Sequence, residues 1–211
     1  MSDIGSVLDT DTKYKHSYYD ESEDTPKIYM AEDNYPAHIV KVETAERTVK
    51  SKYKALIYNC TVKLADACST KMFNCRDATG KNVEAKGSDF VGREIRSIGV
   101  FQFLHPTGDD TFEANPGGNR RYLQFCEAIG KPAKVTSVTI DGEKRKVKEL
   151  PNLSENDILG VPITAVIKNS KPWVSERDGK SRTSLEVKWF EPWVEGTPIS
   201  VDDVPKEDLP F

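Results

Sequence analysis

Short stretches of alternating apolar and polar residues, separated by turn sequences, restrict the fold of this chain more than any other feature. In residues 52–64, for example, every second residue from Leu56 to Leu64 is apolar. Successive side chains of a β-strand point to opposite faces, so this pattern predicts a half-buried strand. Many short strands at this spacing favour a small barrel or sandwich over a parallel sheet.

The other predicted strands follow the same pattern. They are residues 35–42, 71–76, 81–85, 91–104, 135–140, 144–148, 161–168 and 183–190. The charged residues 43–50 predict a turn, and 107–118, rich in Gly, Asp, Asn and Pro, predict a loop. Asp77-Ala78-Thr79-Gly80 and Asp141-Gly142 predict two hairpin turns. Gly99, inside the strand 91–104, predicts a bulge or bend.

One substantial helix is predicted over residues 119–129. Tyr122, Phe125 and Cys126 fall on one helical stripe, which predicts that they face the core. Gly130 follows as a stop signal. A further single helical turn is predicted within residues 154–160.

Charge divides the chain into three segments. Residues 1–34 contain nine acidic and three basic side chains, a formal charge of −6, and predict a flexible acidic arm. Residues 195–211 contain five acidic side chains and one basic, a charge of −4, and predict an acidic tail. The body, residues 35–194, contains 20 acidic and 26 basic side chains, a charge of +6. A basic body between acidic ends indicates a polyanionic partner.

Catalytic and metal-binding signatures give little support to an enzyme. The four cysteines form no CxxC pair, and no P-loop, GxSxG or HExxH motif occurs. We therefore expect no catalytic residue, metal or cofactor. A metal-dependent nuclease using Asp109 and Asp110 is kept as an alternative.

No apolar run approaches the roughly 20 residues that a membrane span needs. We expect a cytoplasmic protein with reduced, buried cysteines and no membrane partner. If a phage encodes it, the compartment is the cytoplasm of the host cell.

Basic and aromatic residues occur together at several places. Single-stranded nucleic acid requires this combination, because cations follow the phosphates while rings stack on unpaired bases. The candidate nucleic-acid-binding residues are Lys52, Tyr53, Lys54, Lys71, Phe73, Arg120, Arg121, Lys168, Lys171, Trp173, Arg177, Lys180, Arg182, Lys188 and Phe190.

The two tryptophans near these basic residues receive different interpretations. Trp189 shares the parity of Leu185 and Val187, which predicts a core position and leaves Lys188 and Phe190 facing outward. Trp173 lies in a basic loop, residues 169–182, with few apolar neighbours. It is therefore the preferred stacking residue.

The chain ends Glu207-Asp208-Leu209-Pro210-Phe211, which resembles the acidic, Pro-Phe-terminated tip of bacterial single-stranded DNA-binding proteins. Phage counterparts are similar in pairing an OB-fold body with an acidic tail that ends in Phe. The body resembles them over roughly residues 35–194. It has a Gly-Val-Phe-Gln-Phe strand at 99–103, then a helix, then Leu-Gly-Val-Pro-Ile at 159–163 before a closing hairpin.

The resemblance implies a mainly β protein with an OB-fold-like small antiparallel barrel and one principal α-helix. It implies a protein that coats single-stranded DNA in replication, recombination or repair. Its tail would recruit a polymerase, primase or helicase. The implied partner-binding residues are Asp202, Asp203, Glu207, Asp208, Leu209, Pro210 and Phe211.

Two further questions stay open at this point. A structural or adaptor module that binds no nucleic acid is the alternative function. Monomer and homodimer are the alternatives for the assembly.

Overall fold

The computed structural model describes residues 28–50, 53–104, 118–140 and 142–200. This part of the chain is mainly β, with antiparallel sheets and one α-helix, as predicted. The strands are β1 (Ile28–Tyr29), β2 (Asp33–Val49), β3 (Tyr53–Leu64), β4 (Met72–Asp77), β5 (Asn82–Lys86), β6 (Glu94–Arg96), β7 (Val100–Phe103), β8 (Lys134–Ile140), β9 (Glu143–Glu149), β10 (Pro162–Asn169), β11 (Trp173–Val174), β12 (Ser181–Arg182) and β13 (Leu185–Pro192). The helix, α1, spans Arg120–Ala128.

Several predicted features lie outside the described residues. They are most of the acidic arm (1–27), Lys52, most of the loop 107–118 with Asp109 and Asp110, and the tail from residue 201 onward. None of the helices in the described part has the length and apolarity that crossing a lipid bilayer would require.

The largest sheet joins six strands in the order β13-β10-β2-β3-β6, and β7 also pairs with β3. Strands β2 and β3 form a long ladder, which runs from Ala37 opposite Leu64 to Val49 opposite Tyr53. The turn predicted over residues 43–50 is therefore wrong, since residues 43–49 continue β2. Residues 43–48 are exposed, and the ladder's backbone hydrogen bonds need no apolar pattern in the side chains.

A bend at Gly99 separates β6 from β7, as the sequence predicts. The φ angle of Gly99 is +85°, and a Cβ atom there would lie 2.9 Å from Cγ2 of Ile57, so only glycine fits without strain. Beside this bend the chain meets β13 at an isolated bridge between Ser97 and Val187. There the Ile98 N–H donates to the Val187 carbonyl at 3.2 Å.

The core is built around aromatic side chains from α1 and β3. The ring of Tyr58 stacks on Tyr122 with centroids 5.8 Å apart, and Phe125 lies 6.4 Å from Tyr58. Tyr122, Phe125 and Cys126 are all fully buried, which confirms the predicted apolar stripe of the helix.

All four cysteines are buried and free, which confirms their interpretation as small apolar core residues. Burial raises the pKa of Cys60 to about 12 and the pKa values of Cys68 and Cys126 to about 11. These three thiols are therefore protonated, and poor nucleophiles, at neutral pH.

A smaller sheet, in the order β1-β4-β5, packs beside the large one. Its Phe73 is 1% exposed, and the ring stacks on Tyr35 with centroids 4.5 Å apart. Phe73 is therefore a core residue and not a base-stacking residue, contrary to the prediction. Ile28 pairs with Asp77, and Met30 is buried. The ordered part of the fold thus already includes residues 28–34, before the expected start at Tyr35.

A β-bulge in β13 reverses the predicted orientation of its aromatic residues. Val166 lies opposite Trp189 and Ile167 lies opposite Val187, so Lys188 is the extra residue. Because of this register shift, Val187 and Phe190 both face the core, and Phe190 is 4% exposed. The predictions of an outward Phe190 and a core Trp189 are wrong, since parity cannot be carried across a bulge.

The chain after β13 folds back onto the body. Trp193 packs edge-on against His38 at 5.5 Å, and Nε2 of His38 lies 2.9 Å from the carbonyl of Thr197. The Ile199 N–H donates to the Gly160 carbonyl at 3.0 Å. Residues 195–200, predicted as the start of the tail, are therefore held on the folded domain.

Candidate nucleic-acid interface

A groove lies between β7, the first turn of α1 and the second half of β13. Its volume is about 380 Å³, and its lining combines four aromatic residues, of which Phe190 is only 4% exposed, with three cations. We call it the aromatic groove and define it by Phe101, Phe103, Arg120, Arg121, Lys188 and Trp189.

The two phenylalanines face the groove because the residue between them faces the core. Gln102 is 8% exposed, and its Oε1 accepts a hydrogen bond from the Tyr58 hydroxyl at 3.1 Å. Strand alternation then turns Phe101 and Phe103 outward, with their rings stacked at 6.2 Å. Neither ring is among the candidates that the sequence analysis selected. The sequence signal that could have identified them is the polar Gln102 between two aromatic residues.

A buried asparagine fixes the start of the helix against β7. The Phe103 N–H donates to Oδ1 of Asn119 at 2.8 Å, and Nδ2 of Asn119 donates to the Phe103 carbonyl at 3.0 Å. Because these bonds join the residue before α1 to β7, they place Arg120 and Arg121 at the edge of the stacked rings.

The electrostatics of the aromatic groove favour an anion. Arg120 and Arg121 occupy the first turn of α1, where their charge opposes the helix dipole. Within the described residues neither arginine has a carboxylate partner. The guanidinium carbon of Arg121 lies 5.9 Å from the centroid of the Trp189 ring, within cation–π range. Lys188 forms an ion pair with Glu186, so its positive charge is the most compensated of the three cations.

Replacing Asn119 by alanine is expected to destabilise the protein by roughly 1–3 kcal/mol, because the buried Asn119 side chain loses two hydrogen bonds to the part-buried backbone of Phe103. The change should also weaken nucleic-acid binding, because Arg120 and Arg121 would no longer be held in position beside the stacked rings. Urea unfolding measures the first effect, and titration with oligo(dT) measures the second. The matched control is Asn74→Ala, which is exposed and should stay within about 0.5 kcal/mol of the parent. Unchanged stability of Asn119→Ala would contradict this anchoring role.

The structure brings Tyr53 to one end of the aromatic groove, whereas Lys54 lies on the opposite face of β3. Ala55 lies opposite Phe103, so Tyr53, two residues earlier in the strand, lies on the same face of the sheet. The Leu104 N–H donates to the Lys54 carbonyl at 2.9 Å. The predicted residues that the structure brings to this site are Tyr53, Arg120, Arg121, Lys188 and, largely buried in its lining, Phe190.

A second group of predicted residues lies apart from the aromatic groove. It occupies the end of β10 and the β11–β12 hairpin, before the first residue of β13, and comprises Lys168, Lys171, Trp173, Arg177, Lys180 and Arg182. Trp173 is 49% exposed, as the sequence predicts. Some of the charge is neutralised, since Lys168 lies 3.9 Å from Glu32 and Arg182 pairs with Asp178.

Lys71 also lies away from the aromatic groove. It precedes β4 in the smaller sheet, and its Nζ is 3.2 Å from Oδ1 of Asp33. The Nζ of Lys71 also donates to the Asn34 carbonyl at 3.3 Å and lies 4.8 Å from the centroid of the Phe73 ring. Lys71 therefore has a partner within the fold.

A second cleft continues the seam between β6 and β13 on the other side of the Ser97–Val187 bridge. Its volume is about 560 Å³, and its lining contains Arg93, Arg96, Glu94 and Glu186 but no aromatic ring. The two arginines are therefore balanced by two carboxylates, and the cleft has no excess of positive charge.

A larger cleft, about 910 Å³, also has a mixed lining. It combines two acids, Glu32 and Asp77, with two arginines, Arg76 and Arg93. The Asn169 backbone N–H lowers the pKa of Glu32, and the Thr79 hydroxyl lowers the pKa of Asp77. Both carboxylates are therefore charged at neutral pH and repel phosphate.

No cluster of three His, Cys, Asp or Glu side chains that could hold a metal ion occurs among the described residues. No protein-family model, curated protein or solved structure matches the chain. The geometry of its own residues is therefore the basis for a functional assignment.

Proposed function

We propose that this protein binds single-stranded DNA without catalysing a reaction and largely without sequence preference. The observation that supports this most directly is the aromatic groove. It sets the stacked rings of Phe101 and Phe103 beside Arg120 and Arg121. Unpaired bases stack on such rings whatever their sequence, and the arginines take up the phosphates.

The proposed path of the strand follows the seam between β13 and the β6–β7 segment. It runs from the aromatic groove, over the bridge at Ser97 and Val187, to Arg96 and Arg93. In the groove the rings hold the bases. In the second cleft, Arg93 and Arg96 lie beside Glu94 and Glu186, so the aromatic groove supplies the uncompensated cations of the path.

We also propose that the large sheet is an OB-fold-like barrel. Two features support this. The first is the approach of the last strand, β13, to the β6–β7 bend through the Ser97–Val187 bridge. The second is the position of the α-helix, which packs on both β7 and β13. Grooves across small barrels of this kind are common sites for single strands.

The tail supports a role in recruitment that rests on its sequence. Asp202, Asp203, Glu207 and Asp208 carry negative charge toward the apolar Leu209-Pro210-Phe211 ending. We propose that this segment binds replication proteins such as a polymerase, primase or helicase. The proposed place of action is the cytoplasm.

A salt titration tests the proposed function. Binding of oligo(dT) should weaken as salt rises, with a slope of log K against log salt near −2 if Arg120, Arg121 and Lys188 each contact one phosphate, at about −0.7 per phosphate. A blunt duplex should bind more weakly than oligo(dT). A flat salt profile, or tighter binding of the blunt duplex, would overturn the proposal and favour the adaptor alternative.

A further inference from the structure

The β8–β9 hairpin is a two-stranded ribbon with two different faces. On one face, Lys144 lies opposite Thr139, Lys146 opposite Ser137, and Lys148 opposite Val135. Alternate residues of a strand are about 7 Å apart. The three lysines therefore form a line about 14 Å long, backed by two hydroxyl groups. We call this surface the lysine face.

The opposite face of the ribbon is close to neutral. Arg145 lies 3.3 Å from Glu143, and Lys134 is paired in register with Glu149. Between these charges lie the half-buried Val138 and Val147. The uncompensated positive charge of the ribbon is thus concentrated on the lysine face.

The lysine face is accessible to a large partner. Lys144 and Lys146 are exposed and have no carboxylate partner within the described residues. Lys148 is also exposed and lies 3.3 Å from Glu127 of α1. Ser137 and Thr139 are exposed as well, and their hydroxyls can donate to phosphate oxygens.

The composition of the ribbon selects duplex over single-stranded DNA. Residues 134–149 contain no Phe, Trp or Tyr, so the ribbon has no ring on which an unpaired base could stack. It can offer only cations and hydroxyls, which suit a helix whose bases are hidden and whose phosphates face outward. A two-stranded β-ribbon is also narrow enough for the major groove of about 12 Å.

We infer that the lysine face binds the phosphate backbone of duplex DNA that flanks the bound single strand, so that the protein prefers single-strand–duplex junctions. This rests on the proposed function of the aromatic groove. The nine-residue helix α1 links the two surfaces, with Arg120 and Arg121 at its first turn and Glu127, the partner of Lys148, in its last. Its length of about 13 Å sets the separation between them.

The test compares a junction, made of a duplex with a dT overhang, with oligo(dT) of the same single-stranded length. The parent protein should bind the junction more tightly. Lys144→Ala with Lys146→Ala should remove this advantage and reduce the junction salt slope by about 2, while oligo(dT) binding stays unchanged. The matched control, Lys134→Ala with Arg145→Ala, removes the same charge from the opposite face and should keep the advantage.

Three results would overturn the inference. Equal losses in the two double variants would indicate a general charge effect. An equal loss on junction and oligo(dT) would make the ribbon part of the single-strand path. Unchanged binding of the junction would assign the lysines to an acidic protein partner. If the parent fails to bind oligo(dT), the proposed function is wrong. If Lys144→Ala with Lys146→Ala nevertheless weakens duplex binding, the lysine face is still a duplex-binding surface.

Discussion

Replacing Phe101 and Phe103 together by alanine is expected to weaken oligo(dT) binding by at least about 30-fold. Each stacked base contributes about 1–3 kcal/mol, and 1.4 kcal/mol corresponds to a factor of ten in affinity. The two rings are stacked on each other at 6.2 Å and half-buried at the aromatic groove. Fluorescence anisotropy with labelled oligo(dT) at fixed salt measures the change. The salt slope should be unaffected, since no cation is removed.

Trp173→Ala is the matched control for this double variant. Trp173 is an exposed aromatic residue in a basic hairpin, so it also lies near basic side chains. Unlike Phe101 and Phe103, it has no second ring stacked beside it in the aromatic groove. We expect it to reduce affinity by less than the double variant. A larger loss in Trp173→Ala would move the site to the β11–β12 hairpin and contradict our assignment.

The neighbouring residues Trp189 and Phe190 should respond to alanine in opposite ways. Phe190 is 4% exposed and packs edge-on against Phe125 at 5.1 Å, so Phe190→Ala should destabilise the protein by about 3–5 kcal/mol. Trp189 is half-buried at the aromatic groove under Arg121. Trp189→Ala should cost less stability but weaken oligo(dT) binding about tenfold, as expected for one lost ring.

Urea unfolding and oligo(dT) titration on both single variants separate these effects. The binding assay for Phe190→Ala is read only under conditions where the variant is folded. Because the two residues are adjacent on β13, each serves as the control for the other. If Phe190→Ala kept full stability and lost binding, the bulge at Lys188 would be misplaced and the simple strand parity would hold.

Patterns within one element were predicted correctly. The helical stripe of Tyr122, Phe125 and Cys126 is buried, and the two hairpin turns around Gly80 and Gly142 connect the expected strands. Gly99 lies at a bend, as an isolated glycine in a strand suggests. These features depend on residues that are neighbours along the chain, so local sequence patterns are sufficient to predict them.

Features that depend on a partner strand were not predicted. The exposed ladder of residues 43–49 has no apolar pattern, because backbone bonds to β3 hold it. The burial of Phe190 follows from the register of β13 against β10. The outward position of Phe101 and Phe103 follows from the hydrogen bond between Gln102 and Tyr58, which are distant in sequence.

The sequence alone determined the mainly β class, the single principal helix, the charge division and the basic–aromatic composition that points to single-stranded nucleic acid. Tertiary structure decided which rings and cations form one surface. It left Phe101, Phe103 and Trp189 half-buried at the aromatic groove and buried Phe73 and Phe190, although Phe190 still contributes to the lining of the groove. The physical reason is that strand register decides on which face of a sheet each side chain lies. Register is set by the pairing and the bulges between segments far apart in the chain.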